Sequence, residues 1–111
     1  MDIIFKKAKF QKECNDHKIL GRRYGPLKAK LLSRRLGELY AATVLGDLRN
    51  LPQVRCHELF GDHSGQLSVD LDHPYRLIFE PTEPIPRKTD GGLDWEKITS
   101  IIILGIEDTH E

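Results

Sequence analysis

The side chains best suited to chemistry are collected in one short stretch, residues 56–81. It holds three of the chain's five histidines, His57, His63 and His73, together with Arg76. Histidine can take or give a proton near neutrality because its unperturbed pKa is about 6.5. Arginine is a permanent cation whose planar donors suit anionic groups such as phosphates. If this protein catalyses a reaction, the stretch 56–81 is where we expect the reacting side chains.

The same stretch has the pattern of three successive antiparallel strands. Two turns rich in Gly, Asp, His and Pro separate three short runs with apolar alternation, at 55–60, 66–71 and 75–80. Alternate residues of a strand face opposite sides of the sheet. In the third run, Tyr75, Leu77 and Phe79 therefore share one face, whereas Arg76 lies on the other. A lone arginine on an open sheet face is a good anion receptor.

The elements around these strands predict how the strands are covered. A short strand at 3–5 precedes two helices, predicted over 9–23 and 27–43, and a β-prone run follows at 98–107. Gly37 weakens the second helix by about 1 kcal/mol relative to alanine, so we expect it at a close helix–strand contact. The order β-α-α-β-β-β-β predicts an α+β fold. Two N-terminal helices should pack on one face of a twisted, mainly antiparallel sheet, leaving the other face open to a ligand.

Length and composition favour one ordinary globular domain over residues 1–111. No apolar run approaches the ~20 residues of a membrane span, and the N-terminus lacks the pattern of a signal peptide. The two cysteines, Cys14 and Cys56, are too few for a disulfide framework, which favours the cytoplasm. The histidines and cysteines match no common zinc spacing, so we predict neither a metal nor another cofactor.

The zero net charge hides a strong asymmetry. Residues 1–35 hold eleven Lys and Arg against three Asp and Glu, whereas residues 36–111 hold six against fourteen. This division suggests a basic face that could bind nucleic acid or an acidic partner. The alternative is an ordinary solvated helix face, and charge alone does not distinguish the two.

The ordered set of short motifs resembles one known group of proteins across essentially the whole chain. The motifs are RCHEL at 55–59, GD at 61–62, GQLSVDL at 65–71, DHPYRLIFEP at 72–81, DW at 94–95 and DTH at 108–110. In this order they resemble the RelE/ParE superfamily of toxins from bacterial type II toxin–antitoxin pairs, on the HigB-like branch. The resemblance implies a RelE-like microbial RNase fold. It also implies metal-independent cleavage of mRNA on the ribosome.

The resemblance further implies partners and site residues. The partner is a helix-turn-helix antitoxin that neutralises the toxin and, together with it, binds operator DNA and represses the operon. The toxin itself needs no membrane and contacts mRNA and the ribosome. Carried over by position, the catalytic set is His57, Arg76, Asp108 and His110. The histidines would act as acid and base in an order the sequence leaves open, Asp108 would orient one of them, and Arg76 would neutralise the reacting phosphate.

A second set of residues is predicted to contact RNA. It consists of Phe60, His63, Arg87, Lys88, Lys28 and Arg35. Phe60 stands where many relatives have a lysine, and His63 where they have another basic residue; an exposed aromatic ring could instead stack on a base. Two other functions stay open on the same fold. One is gyrase poisoning of the ParE type, and the other is a catalytically inert relative that only assembles a repressor with its antitoxin.

Each of the main site residues also has a structural interpretation. His57 on a strand could be a hydrogen-bonded structural histidine. Arg76 could form a surface ion pair with Asp70 or Glu58, which would contribute little to stability.

Overall fold

The computed structural model describes residues 1–108, which form three α-helices and five strands. The helices are α1 Ala8–Cys14, α2 His17–Tyr24 and α3 Pro26–Ala41. The strands are β1 Asp2–Phe5, β2 His57–Glu58, β3 Leu67–Asp70, β4 Tyr75–Pro81 and β5 Ser100–Asp108. Short 3₁₀ helices occur at Leu45–Asn50 and Gly61–His63. Within the described residues, no helix is both long and apolar enough to cross a membrane.

The five strands form one sheet in the order β1-β5-β4-β3-β2. Strands β2, β3 and β4 are successive antiparallel neighbours, β4 pairs antiparallel with β5, and β1 pairs parallel with β5. The predicted three-stranded meander and the predicted α+β class are therefore confirmed. Strand β5 lies inside the sheet, in agreement with its almost continuous apolar sequence.

The helical layer differs from the prediction in one detail, because the helix predicted over 9–23 is two helices. Asp16 separates them, and its Oδ1 accepts hydrogen bonds from the backbone N–H groups of Lys18 at 3.0 Å and Ile19 at 3.3 Å. An aspartate that caps a new helix in this way satisfies donors that have no partner within the helix. The chain therefore turns at residues 15–16 and begins α2 in a new direction.

The hydrophobic core lies between the helices and one face of the sheet. From α3, Leu32, Leu36 and Leu39 are buried. From β3, β4 and β5, the core includes Leu67, Val69, Leu77, Phe79, Ile101 and Ile103. Full burial of each such large apolar side chain contributes about 1.5–3 kcal/mol. The residues that alternate with them point to the opposite face, which we call the open face, and this is where Arg76 projects.

Gly37 does not mark a close contact, contrary to the sequence-based expectation. It lies on the exposed side of α3, and a Cβ built on it would meet nothing within 4 Å. The space above Gly37 is open, and the backbone there is helical. The glycine therefore only lowers the stability of the helix.

We accordingly expect Gly37→Ala to raise the free energy of unfolding by about 0.5–1 kcal/mol, because alanine restricts the unfolded chain more and favours helix. Urea denaturation followed by circular dichroism measures the change. Gly25→Ala is the matched control, since it also has open space but adopts φ 81° and ψ 162°. That conformation strains an L-residue, so this variant should lose about 1–3 kcal/mol. Equal effects of the two substitutions would contradict the interpretation.

Candidate active site on the open face

The open face brings together two of the predicted catalytic residues, His57 on β2 and Arg76 on β4. Their strands are separated only by β3, and Arg76 Nη1 lies 3.0 Å from His57 Nε2. The other ring nitrogen, Nδ1, lies 3.0 Å from the backbone oxygen of Arg55. A carbonyl only accepts and a guanidinium only donates, so Nδ1 carries the proton and Nε2 accepts from Arg76. The pair thus presents a neutral imidazole whose Nε2 lone pair is directed at a cation.

A carboxylate, Asp70 on β3, completes the charged cluster. Its Oδ1 lies 3.4 Å from Arg76 Nε, and its Oδ2 lies 3.5 Å from Arg55 Nε. The structural alternative for Arg76, an ion pair with Asp70, is therefore also present in the structure. Arg55 adopts φ 49°, a left-handed conformation uncommon for a residue with a Cβ. The backbone carbonyl of this same residue accepts the hydrogen bond from His57 Nδ1.

Two residues on the open face were missed by the sequence analysis. Ser68 pairs in register with His57, is fully buried, and its hydroxyl has no hydrogen-bond partner among residues 1–108. Glu107 on β5 pairs in register with Arg76 and is exposed. Only the strand register reveals that these two residues adjoin His57 and Arg76.

Asp108 lies in a different position from the one its predicted role needs. It pairs in register with Tyr75, and Tyr75 shares the helix-covered face of β4 with the buried Leu77. Asp108 also lines a cavity of about 530 Å³ at this end of the sheet, together with Lys28 and Tyr75. The register therefore places Asp108 on the face opposite Arg76. His110, the fourth predicted catalytic residue, lies outside the described residues.

Lys28 and Arg35, two of the predicted RNA contacts, make internal contacts. Lys28 Nζ donates to both carboxylate oxygens of Asp72 at 2.8 and 2.9 Å and lies 3.5 Å from the centre of the Tyr75 ring. These contacts tie α3 to the turn between β3 and β4. Lys28 nevertheless keeps part of its surface at the cavity of about 530 Å³.

Arg35 corrects the prediction more strongly, because its residue surface is only 6% exposed. Its guanidinium donates to the backbone oxygens of Asp70 at 2.7 Å and Gln53 at 3.2 Å, and to Glu38 Oε1 at 2.8 Å. A buried guanidinium with three protein partners cannot reach an RNA phosphate. It instead binds the main chain of β3 at the backbone oxygen of Asp70, the residue whose carboxylate contacts Arg55 and Arg76.

The remaining predicted RNA contacts lie on the surface. Phe60 is 83% exposed and directly precedes the 3₁₀ helix Gly61–His63. His63 Nδ1 lies 3.1 Å from Gln66 Oε1, which fixes the ring of that exposed histidine. Arg87 Nη1 donates to the Gly91 carbonyl at 2.9 Å, and the neighbouring Lys88 is exposed. Within the described chain, none of the four forms a hydrogen bond or ion pair with His57 or Arg76.

Cys56 adjoins His57 in the chain, but it is not suited to nucleophilic chemistry. Burial raises the pKa of its thiol from 9.0 to about 12; the nearby Arg49 cation lowers this pKa, and the Glu58 carboxylate raises it. A thiol is a poor nucleophile until it loses its proton. Among residues 1–108, no group of three or more His, Cys, Asp or Glu side chains is arranged to hold a metal ion.

The Cys56 thiol should make stability depend on alkaline pH. Above pH 9 the unfolded chain loses the thiol proton whereas the folded chain keeps it until about pH 12. The unfolded state then binds fewer protons, so the free energy of unfolding falls with rising pH, by at most about 1.4 kcal/mol per unit for this group. Denaturation of wild type and Cys56→Ala at pH 7, 9 and 10.5 measures this change in the free energy of unfolding. The variant should lose less stability than wild type between pH 9 and 10.5, and parallel losses would contradict the prediction.

No family model matches this chain, and no curated protein matches it. Among solved structures, it is similar to a YoeB/ParE toxin from Agrobacterium tumefaciens. The two share 9% sequence identity, with 99% of this chain and 100% of that chain covered and a TM-score of 0.49. A likeness at this level carries no functional argument.

Proposed function

We propose that this protein is the toxin of a type II toxin–antitoxin pair, acting as a metal-independent endoribonuclease on ribosome-bound mRNA. Two independent lines support the proposal. The first is the ordered set of motifs between residues 55 and 110, which resembles the HigB-like branch of the RelE/ParE superfamily. The second is the contact of 3.0 Å between His57 Nε2 and Arg76 Nη1 on the open face, and this observation carries the proposal.

The reaction assigned to the site is attack by a ribose 2′-oxygen on the adjacent phosphorus. The bond from phosphorus to the 5′-oxygen breaks, which leaves a 2′,3′-cyclic phosphate and a 5′-hydroxyl. His57 suits the base, because its Nε2 carries a lone pair in the tautomer fixed by the Arg55 carbonyl. Arg76 suits the cation that stabilises the additional charge on the phosphorane. His110, which the motif resemblance includes in the catalytic set, is the proposed acid for the leaving oxygen.

The same proposal assigns the partners. A helix-turn-helix antitoxin would neutralise the toxin, and operator DNA would be bound through that antitoxin. The basic N-terminal third would contact ribosomal RNA by its charge. Of the residues predicted for RNA contact, Phe60, His63, Arg87 and Lys88 remain proposed, and Phe60 would stack on a base.

Expression in growing bacteria without antitoxin, followed by mapping of mRNA 5′ ends, tests the function. We expect growth arrest together with new 5′ ends within translated regions, and both effects should disappear in Arg76→Ala. Arrest without new mRNA ends would instead support gyrase poisoning, which DNA-break mapping would then detect. Absence of arrest in the wild type would overturn the toxin proposal in favour of an inert repressor subunit.

A further inference from the structure

A second, smaller cavity adjoins the His57–Arg76 pair at the turn between β3 and β4. Its volume is about 240 Å³, and the residues that line it include Arg55, Asp70 and Arg76. Sites for whole organic ligands usually enclose roughly 300–1,000 Å³. A cavity of this size, lined by two arginines, is suited to one small anionic group rather than to a nucleobase with its ribose.

The two arginines have donors to spare. Arg55 has 65% of its side chain exposed and makes no hydrogen bond through its guanidinium within residues 1–108. Arg76 uses Nη1 on His57, and its Nε is only in ion-pair contact with Asp70. Each guanidinium carries five N–H donors in a planar fork that matches phosphate oxygens. Several donors from two arginines that line the cavity are thus available to one anion.

Asp70 lies between these two arginines and is held loosely. Its contacts of 3.4 and 3.5 Å exceed the 2.7–2.9 Å, approximately, of a charge-assisted hydrogen bond. Its Oδ1 is buried yet has no hydrogen-bond partner among the described residues. The carboxylate therefore compensates the two positive charges without satisfying their donors, and its own acceptor is left unsatisfied.

We propose that this cavity binds a phosphate group between Arg55 and Arg76, and that Asp70 is a built-in competitor for the same two arginines. A bound phosphate takes over the donors that Asp70 holds at long range and draws Arg76 away from His57 Nε2, which frees the lone pair. The identity of the anion as an RNA phosphate rests on the proposed function. The binding of a phosphate group does not.

Titration of the folded protein with inorganic phosphate, followed by the NMR signals of the His57 ring, tests the site without any cleavage. A deoxyribose dinucleotide, which has no 2′-hydroxyl and cannot be cleaved, forms the second arm and reports a phosphodiester. We expect a saturable shift in wild type, with binding about tenfold tighter in Asp70→Asn and about tenfold weaker in Arg55→Asn. Asparagine tolerates the left-handed conformation of residue 55, and Arg55→Gly is the second variant if the first does not fold.

Arg49→Asn is the matched control, because the Arg49 guanidinium lies 4.2 Å over the Trp95 ring and outside this cavity. It should bind phosphate as wild type does. Unchanged affinity in Arg55→Asn would overturn the site, and unchanged or weaker affinity in Asp70→Asn would overturn the competitor role. Phosphate binding without mRNA cleavage would leave this site standing and remove the proposed function, whereas cleavage without phosphate binding would remove only the site.

Discussion

Replacing His57 with alanine is expected to slow mRNA cleavage by about 10²- to 10⁴-fold, the usual contribution of a positioned general base. The reason is that Nε2 is the ring nitrogen that faces Arg76 with a lone pair, while Nδ1 is occupied by the Arg55 carbonyl. The measurement is the single-turnover rate on mRNA in programmed ribosomes, at enzyme concentrations above saturation. Under these conditions the rate reports the chemical step rather than binding.

His17→Ala is the matched control for this experiment. His17 is exposed on α2 and is the first residue of that helix, so its removal leaves the open face unchanged. We expect its cleavage rate to equal that of wild type. A His57→Ala protein that folds and still cleaves at more than a tenth of the wild-type rate would show that His57 is a structural histidine.

The second large effect is expected on stability, at Arg35. Arg35→Ala should lower the free energy of unfolding by about 3–5 kcal/mol, since it leaves a partly buried carboxylate and two backbone oxygens without their donor. The groups left behind are Glu38 Oε1 and the carbonyls of Gln53 and Asp70. Urea denaturation measures the loss. If the alanine variant does not fold, Arg35→Lys is the milder substitution, and thermal denaturation measures its stability.

The neighbouring Arg34 provides the control for Arg35. Its side chain is exposed on α3, so Arg34→Ala should change stability by no more than about 0.5 kcal/mol. Arg35→Lys should lie between the two, because an ammonium cannot match the planar geometry that reaches three acceptors. Equal stability of Arg34→Ala and Arg35→Ala would mean that the buried network contributes little.

The comparison of these two arginines also shows where sequence reasoning was limited. The sequence analysis assigned Arg35 to the basic face from its charge. Its position was informative, however, since residues 32, 35, 36 and 39 follow the three- and four-residue spacing of one helix face, and three of them are buried leucines. A charge inside that apolar stripe predicts a paired, buried guanidinium. Glu38, three residues further along α3, is a partner that the helix spacing predicts. The other two partners were not predictable, because the backbone oxygens of residues 53 and 70 lie on other segments.

For the strands, the overall arrangement was predictable from the sequence, whereas the position of one residue was not. The meander was predicted because alternation and turn residues are local signals. The position of Asp108 was not, since it depends on an irregularity in β5. Ile78 pairs with Gly105 but Phe79 pairs with Ile103, so Leu104 is an extra residue between them. One additional residue reverses which side chains face the core. If the residues of β5 alternated regularly from Ile103 onward, Asp108 would lie on the same face as Arg76.

The strand order has a consequence for how the protein is made. Strand β5 lies between β1 and β4, yet it follows both in the chain by many residues. While the polypeptide is being synthesised, β1 and the meander have no common neighbour until Ser100–Asp108 emerges from the ribosome. Pairings between distant segments also form slowly. The complete five-stranded sheet is therefore assembled only after translation of β5.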